Sequence, residues 1–321
     1  MKMDVLQTGP IPPLVEPLFD EAFNMHKLHK AADRDAFLKE VAPRIRGIAT
    51  FGAIPITGEF MQKFPKLKIV ANMGVGYDSV DAKWAGEHGI IVTNTPGVLD
   101  DEVADTTIAL LLNTLRQLPQ SERYLRAGKW VEKAFPLTAA SLRDRTIGIV
   151  GMGRIGKAIA KRIDAFGRPV VYHSRRPAED VTYKHYPKLL DMARDVDTLI
   201  AIIPGGPETK NMIDARILEA LGPNGVFINV ARGSVVDEGA LIEALRSKKI
   251  LSAGLDVFAD EPRVSQELID MDHIVLFPHV ASASVHTRRA MGTLVADNLK
   301  AWAAGQPPLT PVPETPYPPK R

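Results

Sequence analysis

Three residues of a type that could do chemistry stand at the ends of apolar runs: Arg232 in NVARGSVVD, Glu261 in GLDVFADEP and His279 in FPHVASAS. An arginine at a strand end either binds an anion or closes a salt bridge. A glutamate before a proline can orient a base or simply cap a turn. A histidine can move a proton near neutral pH or satisfy a structural hydrogen bond. Together the three would supply a cation for an anionic substrate and an acid–base group with its orienting carboxylate. Residue types alone leave both readings open. With no cysteine in the chain, thiolate nucleophiles, disulfides and sulfur-based zinc sites are excluded, and no metal is expected.

A second constellation is more specific. TIGIV-GMGRIG places Gly151, Gly153 and Gly156 directly after a β-run and at the start of a helical pattern. Dinucleotide binding needs the first glycine for a tight turn, the second for close approach of the pyrophosphate and the third for helix–strand packing. The phosphate would meet backbone N–H groups at the helix start, with Arg154 beside it. The next β-run ends in VVYHSRRP, and Ser174 lies 23 residues past Gly151, where an NAD enzyme usually carries Asp or Glu. Ser174, Arg175 and Arg176 stand there instead. A guanidinium suits a 2′-phosphate, which an acid would repel. NADPH is therefore the expected cofactor, with NADH secondary; two solvated surface arginines are the plainer alternative.

These residues need a scaffold of strands and helices. Apolar β-runs occur at 3–8, 45–50, 67–72 and 91–93, then at 146–150, 170–173, 198–203, 225–230, 252–258 and 274–277. Most are apolar throughout, as befits strands covered on both faces of a parallel sheet. Helical patterns such as 157–166 and 238–247 separate them, so the chain reads as α/β with two doubly wound sheets. Its 321 residues are ample for two domains. Hydrophobic residues at 45% and charged residues at 24% describe a globular protein. Forty basic residues against 38 acidic ones give no reason to expect nucleic acid or an anionic membrane as partner. No apolar run resembles a signal peptide or a membrane span, so a cytoplasmic location is expected.

The organisation changes near 94–102. Pro96 and Gly97 end a strand, and Asp100 or Asp101 can cap a helix with Glu102 in its first turn. Ala104, Ile108, Leu111, Leu112, Leu115 and Leu118 would share its apolar face, for burial in a core or at a subunit contact. A second long helix is expected over 285–305, followed by an extended tail, PPLTPVPETPYPPKR.

Across almost its whole length the chain resembles the D-isomer-specific 2-hydroxyacid dehydrogenases, particularly the NADP-dependent glyoxylate and hydroxypyruvate reductases. The resemblance rests on ANMGVGYDSVD, NTPGVLDDEVAD, GMGRIG, PGGPETKNMI, NVARGSVVDEGAL, DVFADEP and PHVASAS in order. It implies two Rossmann-like domains with the active site in the cleft between them. Residues 1–99 and 287–321 would form the substrate domain and 100–286 the dinucleotide-binding domain, with homodimers formed through the latter. It also implies Arg232, Glu261 and His279 as the catalytic set. Ile155, Pro204, Thr209, Val230, Ala231 and Asp256 join the glycine turn as cofactor contacts, Asp256 at the nicotinamide carboxamide or, more simply, as a cap of the following turn.

On that reading the amides of Val75 and Gly76 form a nest for the substrate carboxylate. Arg232 bridges that carboxylate and the C2 oxygen. His279 donates the proton as hydride reaches C2, and Glu261 holds its tautomer and favours its charged form. Phe51 and Ile54, in FGAIPIT, would line the substrate wall and could favour an aryl or alkyl keto acid such as phenylpyruvate. Gly205-Gly206 and Ala281 depart from the common family pattern without removing a chemical group. Within the family, a phosphoglycerate dehydrogenase is the poorer match because many carry an added regulatory domain. Formate dehydrogenases use glutamine where Glu261 stands. A non-catalytic dinucleotide sensor would be expected to have lost one of the three residues.

Overall fold

Apolar runs shielded on both faces become strands, and the computed structural model describes them over residues 2–51 and 54–318. The chain divides into two units, Met1–Leu99 with Ala283–Arg321, and Asp100–Ser282. The first unit holds β1 (Asp4–Gln7), β2 (Asn24–Lys27), β3 (Gly47–Thr50), β4 (Ile69–Asn72) and β5 (Ile91–Thr93). All pairs are parallel, in the order β2-β1-β3-β4-β5. The second holds β6 (Ile147–Val150), β7 (Val170–His173), β8 (Lys184–Tyr186), β9 (Thr198–Ala201), β10 (Val226–Asn229), β11 (Ser252–Leu255) and β12 (Val275–Leu276). Its order is β12-β11-β10-β9-β6-β7-β8, again parallel throughout.

The two sheets are both doubly wound, but their topologies differ. Strand order reverses between β1 and β3 in the first sheet and between β6 and β9 in the second. Ligands of such sheets bind beyond the carboxyl ends of the strands at these switch points. Phe51 follows β3, and the glycine turn follows β6. The edge strands β2 and β8 have no counterpart among the apolar runs. Their sequences, NMHK and KHY, are polar because an edge leaves most of their side chains partly exposed.

The helix Asp100–Arg116 begins at Asp100, so both aspartates lie in its first turn. Its buried face includes Ala104, Ile108, Leu110, Leu111 and Leu115, and it enters the core of the second unit. Gly254 in β11 makes room for it, since a Cβ there would strike Thr114 and Leu110. The face expected to reach Leu118 stops short of it. Gln117 turns left-handed (φ 49°) and a second helix, Leu118–Arg126, carries Pro119 in its first turn, leaving Leu118 44% exposed. Pro119 lacks the N–H that would have continued the ladder to the Leu115 carbonyl.

The helix Val285–Ala303, capped by the Ser284 hydroxyl accepting from the Thr287 amide at 3.1 Å, returns the chain to the first unit. Residues 310–315 of the proline-rich tail run along β5, while 319–321 lie outside the described residues. Pro311 bridges Thr93, the Val312 amide donates to the Val92 carbonyl, and Val312 is fully buried. Among the described residues, no helix is long and apolar enough to cross a membrane.

Candidate active site

The glycine turn sits at the carboxyl end of β6. Gly151 has φ 106°, and a Cβ there would run into the Ile202 carbonyl; one at Gly156 would run into the carbonyl of Gly151 itself. Both positions therefore demand glycine, for backbone conformation and for close packing of the helix on the turn. Gly153 is the N-cap of the helix Arg154–Ala165 and has open space around it, so its first-turn amides lie open to an approaching phosphate. This cradle fits a dinucleotide pyrophosphate. Arg154 donates from Nε to Asp100 at 3.1 Å, and Ile155 packs partly into the core beneath.

At the end of β7, Ser174 donates its hydroxyl to the Arg176 carbonyl at 2.6 Å and so shapes the turn. Arg175 reaches Glu208, in the loop after β9, at 3.1 Å, while both side chains remain largely exposed. Arg176 is exposed as well. Asp180, the nearby acid, is engaged with Lys157 at 2.5 Å. In the loop after β9, the Thr209 hydroxyl donates to the Pro204 carbonyl at 2.7 Å. Val230 and Ala231 are buried beyond β10.

Arg232, Glu261 and His279 lie beyond the carboxyl ends of three adjacent strands, β10, β11 and β12. His279 Nδ1 and Glu261 Oε2 are 2.6 Å apart, and Glu261 Oε1 accepts the Phe258 amide at 3.0 Å. Both carboxylate oxygens are thus oriented, which leaves Nε2 as the working edge of the imidazole. Burial pushes the Glu261 carboxyl up, but the His279 hydrogen bond, the Phe258 amide and the charges of His279 and Arg232 outweigh it. The net direction is down, toward the ionised form. Arg232 donates from Nη1 to the Ala231 carbonyl at 2.8 Å. Asn229 braces that turn, donating to the Arg232 carbonyl at 3.1 Å and accepting from the Ala231 amide at 3.1 Å.

Asp256 is 1% exposed and lies under the histidine loop. Its two oxygens accept the amides of Val280 at 2.7 Å and Ala281 at 3.0 Å. Burial drives its carboxyl up, against the pull of those amides and of His279. His279 itself is left-handed, with φ 53°, an uncommon conformation for a side chain of its size.

In the first unit, Val75 and Gly76 follow β4 in the loop MGVGY. Asn72 Nδ2 donates to the carbonyls of Gly74 (3.3 Å) and Gly76 (3.0 Å), the Thr95 amide to Gly74 (3.0 Å), and Asn94 Nδ2 to Val75 (2.8 Å). Phe51 meets Phe19 edge-on at 5.8 Å between centroids, and Ile54 packs against a core cluster.

Asn72, Asn94, Asn229 and Glu208 were not legible as site residues. The three asparagines share one signal: each closes an apolar run, as IVAN, IVTN and VFIN, where a buried polar side chain needs partners. Glu208 had none.

A parallel sheet in the order β8-β7-β6-β9-β10-β11-β12, a glycine cradle at its switch point and a carboxylate-oriented histidine beside an arginine define a dinucleotide-dependent oxidoreductase. The family model for the D-isomer specific 2-hydroxyacid dehydrogenase NAD-binding domain matches residues 108–281. The chain is 40% identical over 308 residues to a glyoxylate/hydroxypyruvate reductase A of Arabidopsis thaliana, covering 96% of this chain and 98% of the relative. It is 39% identical to a hydroxyphenylpyruvate reductase of Plectranthus scutellarioides, over 96% and 98% of the two chains. A crystal structure of an NADPH-dependent glyoxylate/hydroxypyruvate reductase of Sinorhizobium meliloti, in complex with NADP and malonate, superposes with a TM-score of 0.92 at 49% identity, over 100% of this chain and 99% of that one. The protein belongs to the D-isomer specific 2-hydroxyacid dehydrogenase family.

Proposed function

We propose that the protein is an NADPH-preferring reductase of small 2-keto acids, glyoxylate and hydroxypyruvate first among them, yielding the D-2-hydroxy acids, with NADH as a secondary cofactor. The observation that carries this reading is the 2.6 Å Glu261–His279 pair beside Arg232 on adjacent strand ends. NADPH supplies the hydride that reaches C2. His279, protonated and held by Glu261 through Nδ1, gives the Nε2 proton to the C2 oxygen. Arg232 stabilises the negative charge that builds on that oxygen and pairs with the carboxylate. By the family resemblance, the amides of Val75 and Gly76 would serve as the nest for the substrate carboxylate. In the oxidative direction neutral His279 takes the proton back.

The glycine cradle, Arg154 and Ile155 would hold the pyrophosphate side, and Pro204, Thr209, Val230 and Ala231 the rest of the cofactor. Ser174, Arg175 and Arg176 would read the 2′-phosphate, which is supported by the lack of any acid from 170 to 177. Asp256 would reach the nicotinamide carboxamide while also anchoring the histidine loop, since each of its oxygens holds one backbone amide and keeps a second lone pair. Residues 1–99 and 287–321 are proposed as the substrate domain and 100–286 as the cofactor domain of a cytoplasmic homodimer. The dimer is supported by exposed apolar residues that follow one another in the second unit: Leu118, Leu125, Trp130, Val131 and Leu137.

A bulkier aryl keto acid is the second reading, favoured by the hydroxyphenylpyruvate reductase relative. Steady-state rates with glyoxylate, hydroxypyruvate, pyruvate and phenylpyruvate, each with NADPH and NADH, test both. Turnover of none of the four would overturn the reading.

A further inference from the structure

The amides of Val75 and Gly76 are aimed by the carbonyls that precede them. A trans peptide is planar, with its C=O and the following N–H pointing opposite ways. Holding the Gly74 carbonyl therefore directs the Val75 N–H, and holding the Val75 carbonyl directs the Gly76 N–H. The first carbonyl is held by Asn72 and the Thr95 amide, the second by Asn94 at 2.8 Å. Gly74 and Gly76 give this loop little stiffness of their own, so its direction depends on these external bonds.

Those bonds lead to the far end of the chain. The Asn94 amide donates to the Thr310 carbonyl at 3.3 Å, and the Thr310 hydroxyl donates to the Asn94 carbonyl at 2.7 Å. Thr310 is itself gripped by Asn298, which accepts its amide at 3.0 Å and donates to its hydroxyl at 2.9 Å. Four residues on, Glu314 accepts the hydroxyl of Tyr77, the residue right after Gly76, at 3.0 Å. Tyr77 and Glu314 are 237 positions apart in sequence. The Thr315 hydroxyl accepts the Val92 amide at 2.8 Å and donates to its carbonyl at 3.1 Å, which locks the segment along β5. The prolines of PPLTPVPETP restrict the segment before it docks, so less entropy is lost on ordering it.

We propose that the C-terminal segment 310–315 is a working part of the substrate site: Thr310 acting on Asn94, and Glu314 acting on Tyr77, hold the Val75 and Gly76 amides toward the keto acid's carboxylate. The inference rests on the reading of that loop as the carboxylate nest. Tyr77 and Glu314 are positioning residues that need not touch the substrate. Burial first, then the hydrogen bond and charge of Glu314, push the Tyr77 hydroxyl up to about 12, so it stays a neutral donor throughout the working range.

The test uses the full chain with Tyr77→Phe, Glu314→Ala and Glu314→Gln. Tyr77→Phe and Glu314→Ala should each raise KM for glyoxylate about three- to tenfold, the loss of one hydrogen bond, with KM for NADPH unchanged. Glu314→Gln keeps an acceptor and should stay near the parent enzyme. The double variant Tyr77→Phe with Glu314→Ala should be no worse than either alone, since both remove the same bond. Backbone order at 74–77, read from amide nitrogen-15 relaxation without substrate, should fall in the first two variants. Unaltered order, or equal losses for glyoxylate and NADPH, would overturn the tether. Failure of the parent enzyme to reduce any keto acid would instead overturn the functional reading, with the relaxation result standing by itself.

Discussion

Asp256 governs the backbone on which His279 stands. Its two carboxylate oxygens hold the amides of the two residues that follow the histidine, while His279 itself sits at φ 53°. A left-handed histidine costs free energy in isolation, and the buried carboxylate compensates for it. Asp256→Ala would leave two inward-facing amides without acceptors. We expect a loss of about 2–4 kcal/mol in unfolding free energy, measured by urea denaturation, together with a fall in kcat. Asp256→Asn retains one acceptor and should lie between. A fully stable, fully active Asp256→Ala enzyme would refute the anchor role.

On the proposed mechanism, His279→Ala and Arg232→Ala would remove, respectively, the proton donor and the cation at the C2 oxygen. Each should lower kcat for glyoxylate by about 10²–10⁴-fold. NADPH affinity, followed by the nucleotide's fluorescence, should remain close to that of the parent because neither residue belongs to the glycine cradle. Unchanged turnover in either variant would remove that residue from the mechanism.

Glu261 provides a pH signature. Its carboxyl is held below the ordinary 4.5, so the native state favours the ionised form more than the unfolded chain does. The resulting stabilisation is complete above about pH 4.5, the unfolded value, and is lost as pH falls through the lower folded value. The stability gap between the parent and Glu261→Gln should therefore be wide at pH 6 and shrink on acidification toward the folded value. A gap independent of pH would mean that the Glu261–His279 pair contributes through shape alone.

Arg175→Ala with Arg176→Ala should weaken NADPH by about 10–100-fold, the value of one or two charge-assisted bonds, and NADH far less. Raising the salt concentration should erode the NADPH advantage in the parent enzyme, because both guanidiniums are exposed and screened. Equal losses for the two cofactors would show that the arginines do not read the phosphate.

The exposed apolar stretch predicts association. Leu125→Glu with Trp130→Ser should shift the protein toward monomer in sedimentation velocity while its far-UV spectrum stays intact, since both side chains lie more than half exposed. A parent enzyme that is already monomeric at micromolar concentration would reject the homodimer.

Much of this protein could be read along the chain because its signals are local. Buried parallel strands require continuous apolar runs, so ten of them were legible, as was a glycine turn whose conformation and packing only glycine tolerates. Arg232, Glu261 and His279 stood out because each interrupts or ends an apolar run with a charged or titratable group. The edge strands β2 and β8 were not legible, since half-exposed strands need no such run. Nor could Leu118 be separated from the helix before it, because apolar spacing continues across the left-handed break at Gln117. Other facts exist only in three dimensions. The two sheets differ in strand order, Asp256 holds the amides beyond His279, and Glu314 meets Tyr77 across most of the chain. Composition and period report which face of an element is buried; they carry no record of which distant backbone group a buried polar atom must satisfy. That pairing is decided when the chain closes, because every donor and acceptor taken from water must find a partner in whatever the fold brings near.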